Sequence, residues 1–341
     1  MNFEEYREMI LSELDKMKTG KYPNILKKLE EINNPLFFEK LNNKEKLFIR
    51  KRISWIQLSL GQYNNGWINY KLNWLKDIHK MNKIISENKN IKYLNNLNQI
   101  EKNDKLLIWN DGGYGDLIYQ LRLVKYFKNK INFQIFTNKL DYLIRDKSLI
   151  AKNSKAFDWH LPVTQIPRIL NYSPKKYSKF NYDYLIKPGE NIHNYNQFVG
   201  LCYKTEISDK KSINFNLLKN LFIKKNNINF VILQNKLSKE EISFFSFFKN
   251  VYIVNNLDKS LIFKDTFNII NDLKFFISVD TATTHIAGYL GKKNYLLLHK
   301  PSSYYWGYSK TKSPDYSKHI IIRQKKPGDW KSVIVDLINK I

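Results

Sequence analysis

The sequence FFISVDTATTHIAGYLGKKNYLLL, residues 275–298, carries the clearest structural signal in the chain. Its apolar, β-branched start, Phe275 to Val279, predicts a buried strand that stops at Asp280, where a cap-forming residue can start a helix. We expect the helix to end at Gly291, and Tyr295 to Leu298 to form the next strand. This strand, helix, strand order is typical of a parallel sheet whose strand ends face a ligand crevice.

The junction after Asp280 carries groups that suit an anionic ligand. Thr281, Thr283 and Thr284 place hydroxyls and backbone N–H groups at a helix N-terminus, where unpaired donors and the helix dipole favour phosphate. His285 lies on the same first turn. The same residues could serve as ordinary helix caps, so this junction alone leaves a structural role and a ligand site open.

A second strand-to-helix junction lies in the first half of the chain. Leu106 to Trp109 predicts a short strand, and DGGYGD, residues 111–116, leads from it into an apolar-faced helix. Glycines permit positive φ and a close approach of a ligand to the backbone. The glycines of this loop are Gly112, Gly113 and Gly115. We expect Asp116 at the helix start with its carboxylate at the crevice, although an aspartate that only caps the helix is the alternative. The loop matches neither a P-loop nor a dinucleotide-binding motif, so it does not itself predict nucleotide binding.

The order of the remaining elements predicts the domains. Residues 1 to about 100 are expected to be helical only, with an antiparallel pair formed by Leu47–Leu60 and Gly66–Leu75. Strands and helices alternate from Lys105 and again from Phe198. We also expect a loop at 158–167, a strand at 182–186, an interdomain linker at 190–197, and a last helix, 330–341, packed toward the first of the two α/β domains. The prediction is therefore an α/β protein with two Rossmann-like domains facing a cleft, preceded by an all-helical lobe, divided as 1–100, 101–197 and 198–341.

Composition bounds the partners and the compartment. The formal net charge of +26 suggests anionic partners, but the lysines are spread along the chain and no nucleic-acid motif occurs, so we expect no nucleic-acid binding. Cys202 is the only cysteine, which excludes an internal disulfide and fits a reducing compartment. The acidic N-terminus does not resemble a signal peptide, and no apolar run is long enough for a membrane span. We expect a cytoplasmic protein, with membrane contact limited to peripheral binding at the inner face.

With both junctions in view, the chain resembles the heptosyltransferase-like glycosyltransferases of the GT-B fold, especially the bacterial variety in which tetratricopeptide repeats precede the catalytic domains. The matching segments extend in order from about Trp55 to Trp330. They are LGQYNNGWINY, GGYGDLIYQLRLV, DWHLPVTQIP, VGLCYKT with KKSIN, FVILQ, SVDTATTHIAGYLGK and SPDYSKHIIIRQKKPGDW. The first segment is similar to a tetratricopeptide repeat, and such repeats normally occur in arrays of three or more.

The resemblance implies roles for individual residues. Asp116 matches the family's catalytic base, and the family's D-[ST]-[AG]-x-x-H segment, which contacts the donor diphosphate, matches Asp280, Thr281, Ala282 and His285. A basic residue near the donor phosphates matches Lys211 best, with Lys204 and Lys210 as rivals. Gln234 matches the end of the next strand. Where relatives have a small or Ser-rich segment, this chain has Cys202-Tyr203-Lys204, so the donor sugar stays open.

These matches predict a metal-independent, inverting glycosyltransferase that moves a sugar from a nucleotide-diphosphate donor to an acceptor hydroxyl. Asp116 would accept the hydroxyl proton, while Thr281, Thr284, Lys211 and the helix N-terminus would stabilise the leaving diphosphate. No D-x-D motif occurs, so no metal ligands are predicted, and the nucleotide sugar is a co-substrate with no further cofactor. The acceptor would be a glycan, a lipid-linked saccharide or a protein. The alternative is a catalytically inactive binding or scaffold protein that keeps the fold.

Overall fold

The structure is a computed structural model of the 341-residue chain, and it describes residues 2–31, 34–70, 88, 90–128, 130–137, 139–177, 194–259 and 261–341. The chain separates into two compact units. The first comprises Met1–Ile186 and Ser303–Ser309, and the second comprises Lys187–Ser302 and Lys310–Ile341. The predicted strand at 182–186 and the first half of the predicted linker, residues 190–193, lie outside the described residues. The division at residues 100 and 197 stays a prediction.

The first unit begins with helices that surround one apolar core. In chain order they are α1 (Phe3–Asp15), α2 (Tyr22–Glu31), α3 (Pro35–Lys40), α4 (Asn43–Ser59) and α5 (Tyr63–Tyr70). Asn2 and Asn42 form capping boxes with Glu5 and Glu45, which satisfy backbone N–H groups that helix ends leave unpaired. Buried residues at helical spacing in α1, such as Tyr6 and Ile10, point into this core.

Helices α4 and α5 pack against each other through a glycine. A Cβ atom at Gly66 would lie 2.6 Å from Leu58 Cδ2, so only glycine permits this approach. The connection contains Gly61 at φ +85°, a left-handed conformation that favours glycine. The predicted helical pair is thus present up to Tyr70, and residues 71–75 of its second helix lie outside the described part of the chain. The tetratricopeptide character of this segment stays a prediction.

The first unit also contains a parallel sheet. Its strands are β1 (Lys92–Tyr93), β2 (Lys105–Trp109), β3 (Asn132–Phe136) and β4 (Trp159–Pro162), in the spatial order β1-β4-β2-β3. Helix α6 (Tyr114–Val124) follows β2, and the short helix α7 (Ile166–Ile169) follows β4. The strand residues Leu106 to Trp109 are all buried, as expected for a strand inside a parallel sheet.

Two expectations for this region are wrong. The first 100 residues are not helical only, because Lys92 and Tyr93 pair with Trp159 and His160 as parallel strands. The segment 158–167 is not a loop, because its residues 159–162 form β4, which pairs with β1 and β2. Pro162 is the last residue of β4, so the missing N–H group affects only the end of the ladder.

The second unit is built on a six-stranded parallel sheet. The strands are β5 (Phe198–Cys202), β6 (Asn229–Ile232), β7 (Val251–Ile253), β8 (Phe275–Val279), β9 (Asn294–Leu298) and β10 (His319–Arg323), in the order β10-β9-β8-β5-β6-β7. The helices are α8 (Lys219–Lys224), α9 (Lys239–Ser246), α10 (Lys264–Asp272), α11 (Ala282–Tyr289) and α12 (Trp330–Lys340). The alternation predicted from Phe198 onward is confirmed, and β10 is an additional strand. The α/β class is therefore confirmed for both units.

Helix α12 belongs to the core of the second unit. Trp330, Val333 and Leu337 are buried in the same apolar cluster as Val199 and Ile277 of the sheet. The expectation that this helix packs toward the first α/β domain is therefore wrong. The apolar stripe of α12 is covered by the sheet that it follows in the chain.

No helix in the described ranges is both long enough and apolar enough to cross a membrane.

Candidate functional site

The carboxylate of Asp116 caps the helix that follows the glycine-rich loop. Gly113 is the N-cap residue of α6, and its backbone N–H donates to Asp116 Oδ2 at 2.9 Å. Asp116 is half-buried and lies in the first helical turn, where the helix dipole stabilises its ionised form. The structure therefore places Asp116 at the predicted position, the helix start that follows the carboxyl end of β2.

The glycines of this loop do not serve the expected conformational role. None of the three glycines Gly112, Gly113 and Gly115 adopts positive φ. The φ angle of Gly113 is −74°. A Cβ atom at Gly112 would lie 2.8 Å from both Cβ and Oδ2 of Asp116. Glycine at position 112 therefore leaves room for the Asp116 side chain to turn back onto the loop.

A second carboxylate of the loop, Asp111, is buried. Its Oδ1 accepts the backbone N–H of Thr164 at 3.1 Å and its Oδ2 accepts the Thr164 hydroxyl at 2.5 Å. Burial raises the pKa of Asp111 to about 6, against the lowering effect of the Thr164 hydrogen bonds. The pair ties the loop after β2 to the segment after β4.

An aromatic cluster that sequence reasoning missed lies beside Asp116. The segment Ser303–Ser309 belongs to the first unit, where Tyr304 contacts the rings of Trp55, Trp67 and Tyr70. Burial raises the pKa of Tyr304 well above its ordinary value, and the charge of Asp116 adds to this effect. Nothing in the local pattern around residue 304 indicates this long-range contact, whose partners lie more than 200 residues earlier in the chain.

In the second unit the predicted junction is present, but its cap is one residue later than expected. Thr281, not Asp280, is the N-cap residue of α11, with an extended backbone and with Oγ1 accepting the N–H of Thr283 at 3.3 Å. The hydroxyls of Thr281 and Thr283 are 2.7 Å apart. Ala282 is the first helical residue and is half-buried. The carboxylate of Asp280 is thereby left for another role.

Asp280 forms an ion pair with Lys211. Asp280 Oδ2 accepts from Lys211 Nζ at 2.8 Å, and the Asp280 side chain is 2% exposed whereas that of Lys211 is 27% exposed. This pairing places Lys211, one of the three candidate lysines, at the carboxyl end of β8. A buried carboxylate needs such a partner, while the more exposed ammonium keeps access to solvent or to a ligand.

The rival Lys204 is engaged elsewhere. Its Nζ lies 2.7 Å and 2.6 Å from the two carboxylate oxygens of Glu241, and Tyr203 donates to the same carboxylate. Burial alone would raise the pKa of Glu241, but the hydrogen bonds from Lys204 and Tyr203 lower it below its ordinary value. Lys204 therefore serves a local ion pair.

Gln234 and Cys202 lie at the same edge of the sheet as Thr281. The Cys202 thiol contacts Gln234 Oε1 at 3.6 Å and Thr281 Oγ1 at 4.0 Å, and Gln234 Nε2 donates to the carbonyl of Lys204 at 3.3 Å. Burial raises the pKa of the Cys202 thiol. The predicted residues Gln234 and Thr281 are thus joined through the ends of β5, β6 and β8.

Two predicted residues of α11 are turned inward. Thr284 is fully buried, and its hydroxyl donates to the carbonyl of Val279 at 2.9 Å. His285 is 2% exposed, and its Nδ1 lies 3.0 Å from the hydroxyl of Tyr316. The Thr284 hydroxyl donor is therefore used inside the junction, while its backbone N–H lies in the first helical turn.

Sequence reasoning also missed His299, which directly follows β9. The charges of Asp280, Lys211, Arg323 and Lys210 all act on its imidazole, in that order of size, which places it among them. Burial lowers its pKa to about 4. The signal that could have identified it is a histidine immediately after a mainly apolar strand that follows, in the chain, the strand ending before Asp280.

No group of three or more His, Cys, Asp or Glu side chains that could hold a metal ion occurs in the parts of the chain that the structure covers.

No family model matches the sequence, and no curated protein matches it. Among solved structures, the chain is similar to the Escherichia coli heptosyltransferase WaaC with ADP-2-deoxy-2-fluoro heptose, at 10% identity and TM-score 0.46, over 69% of this chain and 99% of that chain. A glycosyl transferase family 9 protein from Veillonella parvula matches at 9% identity and TM-score 0.45, over 69% of this chain and 91% of that chain. The iron-containing dodecameric glycosyltransferase TibC from enterotoxigenic E. coli matches at 11% identity and TM-score 0.45, over 59% of each chain.

Proposed function

We propose that the protein is a glycosyltransferase that moves a sugar from a nucleotide-diphosphate donor to an acceptor hydroxyl with inversion and without a metal ion. The proposed donor-binding residues belong to the second unit, and the proposed base, Asp116, belongs to the first. The nucleotide sugar is the only co-substrate. The acceptor is a glycan, a lipid-linked saccharide or a protein, and a membrane-borne acceptor would require peripheral contact with the cytoplasmic face of a membrane.

One observation carries this proposal: the edge of the second sheet combines a helix N-terminus with cationic side chains. The N-terminus of α11 carries the hydroxyls of Thr281 and Thr283, which lie 2.7 Å apart, and Lys211 is held beside them by Asp280. Two further cations, Arg323 and Lys210, lie close enough to His299, at the same edge of the sheet, to act on its imidazole. Such a combination favours a diphosphate group and stabilises the negative charge that develops when it leaves.

In this proposal the buried Asp280 carboxylate positions Lys211 and does not itself contact phosphate, since two anions would repel. Thr281 and Ala282 present the helix N-terminus to the donor, and Gln234 lies at the neighbouring strand end. Thr284 and His285 support the first turn from inside. The Thr284 hydroxyl donates to the carbonyl of Val279 and its backbone N–H donates to the carbonyl of Thr281, while His285 contacts Tyr316.

Asp116 is the proposed general base. The acceptor oxygen attacks the anomeric carbon of the donor as its bond to the diphosphate oxygen breaks, and the hydroxyl proton moves to the Asp116 carboxylate. The electron pair of the broken bond stays on the leaving diphosphate, where the helix N-terminus and Lys211 stabilise it. The N–H of Gly113 donates to Oδ2 and so orients the carboxylate that is proposed to accept the proton.

A second candidate is a protein that binds nucleotide sugars without transferring them. The hydrogen bond from Gly113 to Asp116 favours this alternative, because a carboxylate that caps a helix is a weaker base. A binding assay combined with a turnover assay distinguishes the two functions, because both proteins would bind a nucleotide sugar but only the enzyme would consume it.

The test is a panel of nucleotide sugars, scored first by thermal stabilisation and then by release of the nucleoside diphosphate with candidate acceptors in EDTA. A donor that stabilises the folded protein and is turned over in EDTA supports the proposal. Stabilisation without turnover for any acceptor class would favour the binding protein, and turnover abolished by EDTA would contradict the metal-independent mechanism.

A further inference from the structure

His299 occupies a rigid position at the carboxyl end of the second sheet. It follows Leu298, whose carbonyl accepts the backbone N–H of Gln324 at 2.9 Å. The side-chain oxygen of Gln324 accepts the backbone N–H groups of Lys300 at 3.1 Å and Gly328 at 3.0 Å. The backbone on both sides of His299 is therefore held by the turn after β10, which restricts where the imidazole can lie.

The imidazole carries a buried nitrogen that the described residues do not satisfy. His299 Nδ1 is inaccessible to solvent and has no hydrogen-bond partner in the described part of the chain. Most buried polar atoms in native proteins have a partner, so an exception at a strand end calls for an explanation. A ligand that completes the site would supply one.

The charges around this imidazole come from three neighbouring elements. Asp280 follows β8, Arg323 ends β10, and Lys210 and Lys211 lie in a short 3₁₀ helix, Asp209–Lys211. Three cations thus oppose a single carboxylate. Without a ligand the imidazole is neutral at pH 6 and above, because burial and the cations lower its pKa to about 4.

We propose that His299 is a donor-site residue whose imidazole becomes protonated when a nucleotide sugar binds and donates a hydrogen bond from Nδ1 to the diphosphate. This rests on the proposed function. The diphosphate brings negative charge to the imidazole and to Lys210, Lys211 and Arg323, and this charge favours the protonated imidazole against the effects of burial and of the cations. The proton comes from solvent, no covalent bond forms or breaks, and Nδ1 gains the partner that it lacks.

The test is isothermal titration of the best nucleotide sugar from the panel, without acceptor, at pH 6 in two buffers of different ionisation enthalpy. The diphosphate of a nucleotide sugar has no ionisation near pH 6, so a buffer-dependent heat reports protons taken up by the protein. We expect net proton uptake by the wild-type protein. His299→Asn should abolish that uptake and weaken binding by roughly tenfold, the scale of a lost hydrogen bond to a charged group.

The matched control is His160→Asn. His160 is also buried and its pKa is also lowered to about 4, but its Nδ1 accepts the indole N–H of Trp109 in the first unit. This variant should keep both the affinity and the proton uptake. His299→Gln gives a second test if His299→Asn does not fold.

The outcomes separate this inference from the proposed function. Absence of binding by the wild-type protein to every nucleotide sugar would contradict the proposed function. Wild-type binding with unchanged proton uptake in both His299 variants would overturn the role of His299 and leave the proposed function intact.

Discussion

In the proposed mechanism, Asp116 serves both the fold and the reaction. Its Oδ2 accepts the N–H of Gly113, and the absence of a side chain at Gly112 makes room for this conformation. A capped carboxylate is fixed in orientation, which favours catalysis, although its basicity is reduced. The hydrogen bond from Gly113 therefore orients the carboxylate but lowers its basicity.

We predict that Asp116→Asn lowers kcat by roughly 10² to 10⁴ while donor affinity changes little. Asparagine keeps an oxygen that can accept from Gly113 but cannot accept the acceptor's proton. Steady-state kinetics with the donor found in the panel, together with titration of that donor, measures both quantities. Full turnover by this variant would contradict the assignment, and a loss of donor affinity would move Asp116 from catalysis to binding.

We predict that the double variant Lys211→Met with Asp280→Asn weakens donor binding by about 1.5–3 kcal/mol, the value of a hydrogen bond to a charged group. Changing both residues avoids leaving a buried, unpaired carboxylate, so that the loss reports the ligand contact. Isothermal titration gives the affinity.

The neighbouring pair provides the control for this variant. Lys204→Met with Glu241→Gln removes an equally close ion pair from the same unit and should keep wild-type affinity. Equal losses in both double variants would indicate a general effect on folding or charge and would remove Lys211 from the donor site.

At the residue scale, the sequence placed Asp280 directly after a strand and Asp116 at the start of the helix that follows β2, because apolar runs followed by polar residues mark strand ends. Lys211 lies in a 3₁₀ helix that no such pattern marks, and only the family resemblance pointed to it. The sequence did not identify Thr281 as the cap, because Asp and Thr are both common N-cap residues and only the backbone conformation separates them. It missed His299, since an unsatisfied nitrogen is visible only when its surroundings are known.

At the scale of elements, the helical pair α4–α5 depends on contact between one glycine and one leucine. We predict that Gly66→Ala destabilises the protein by about 1–3 kcal/mol, because the added Cβ would overlap Leu58. The midpoint of urea unfolding measures the effect. Asn65→Ala, at the exposed neighbouring position, should be neutral or stabilising. Equal stability of Gly66→Ala and the wild type would show that the two helices can separate without cost.

Strands β5 to β9 of the second unit were predictable because each is a mainly apolar run bounded by polar residues, whereas β10 was not predicted. In the first unit, β1 is too short for a periodic pattern, and β4 contains a proline that normally indicates a loop. β1 pairs with β4, and β4 pairs with both β1 and β2, so tertiary pairing decided the structure of both segments.

At the scale of the whole molecule, the path of the chain could not be predicted. The segment Ser303–Ser309 leaves the second unit between β9 and β10 and joins the first, where its aromatic residues pack with Trp55 and Trp67. No local pattern indicates such a crossing, because its partners lie far away in sequence.

Buried histidines also contribute to how the stability of the protein depends on pH. Burial lowers the pKa of His160, His299 and His319 to about 4, below the ordinary value of 6.5. Each therefore contributes stability above pH 6.5 that is lost as the pH falls toward 4, because the unfolded chain binds more protons. Asp111, with its pKa raised to about 6, acts in the opposite direction, since its stability contribution is lost as the pH rises through 6.

We predict that the free energy of unfolding falls as the pH is lowered from 7 to 5, by up to about 2 kcal/mol for each histidine. The combined effect of the three histidines should exceed the opposite effect of Asp111. Urea midpoints followed by tryptophan fluorescence across this range measure the change. Asp111→Asn should steepen the loss on acidification. A midpoint that rises toward pH 5 would show that Asp111 dominates.

The central claim is that a nucleotide sugar binds at the edge of the second sheet, on the N-terminus of α11. Hydrogen–deuterium exchange of the full chain with and without the donor found in the panel locates the ligand without any mutation. We predict slower exchange in peptides covering residues 279–289, 203–213 and 298–302, where the proposed contacts lie. A donor that binds with no protection in these peptides, or with protection confined to residues 110–124, would contradict the claim.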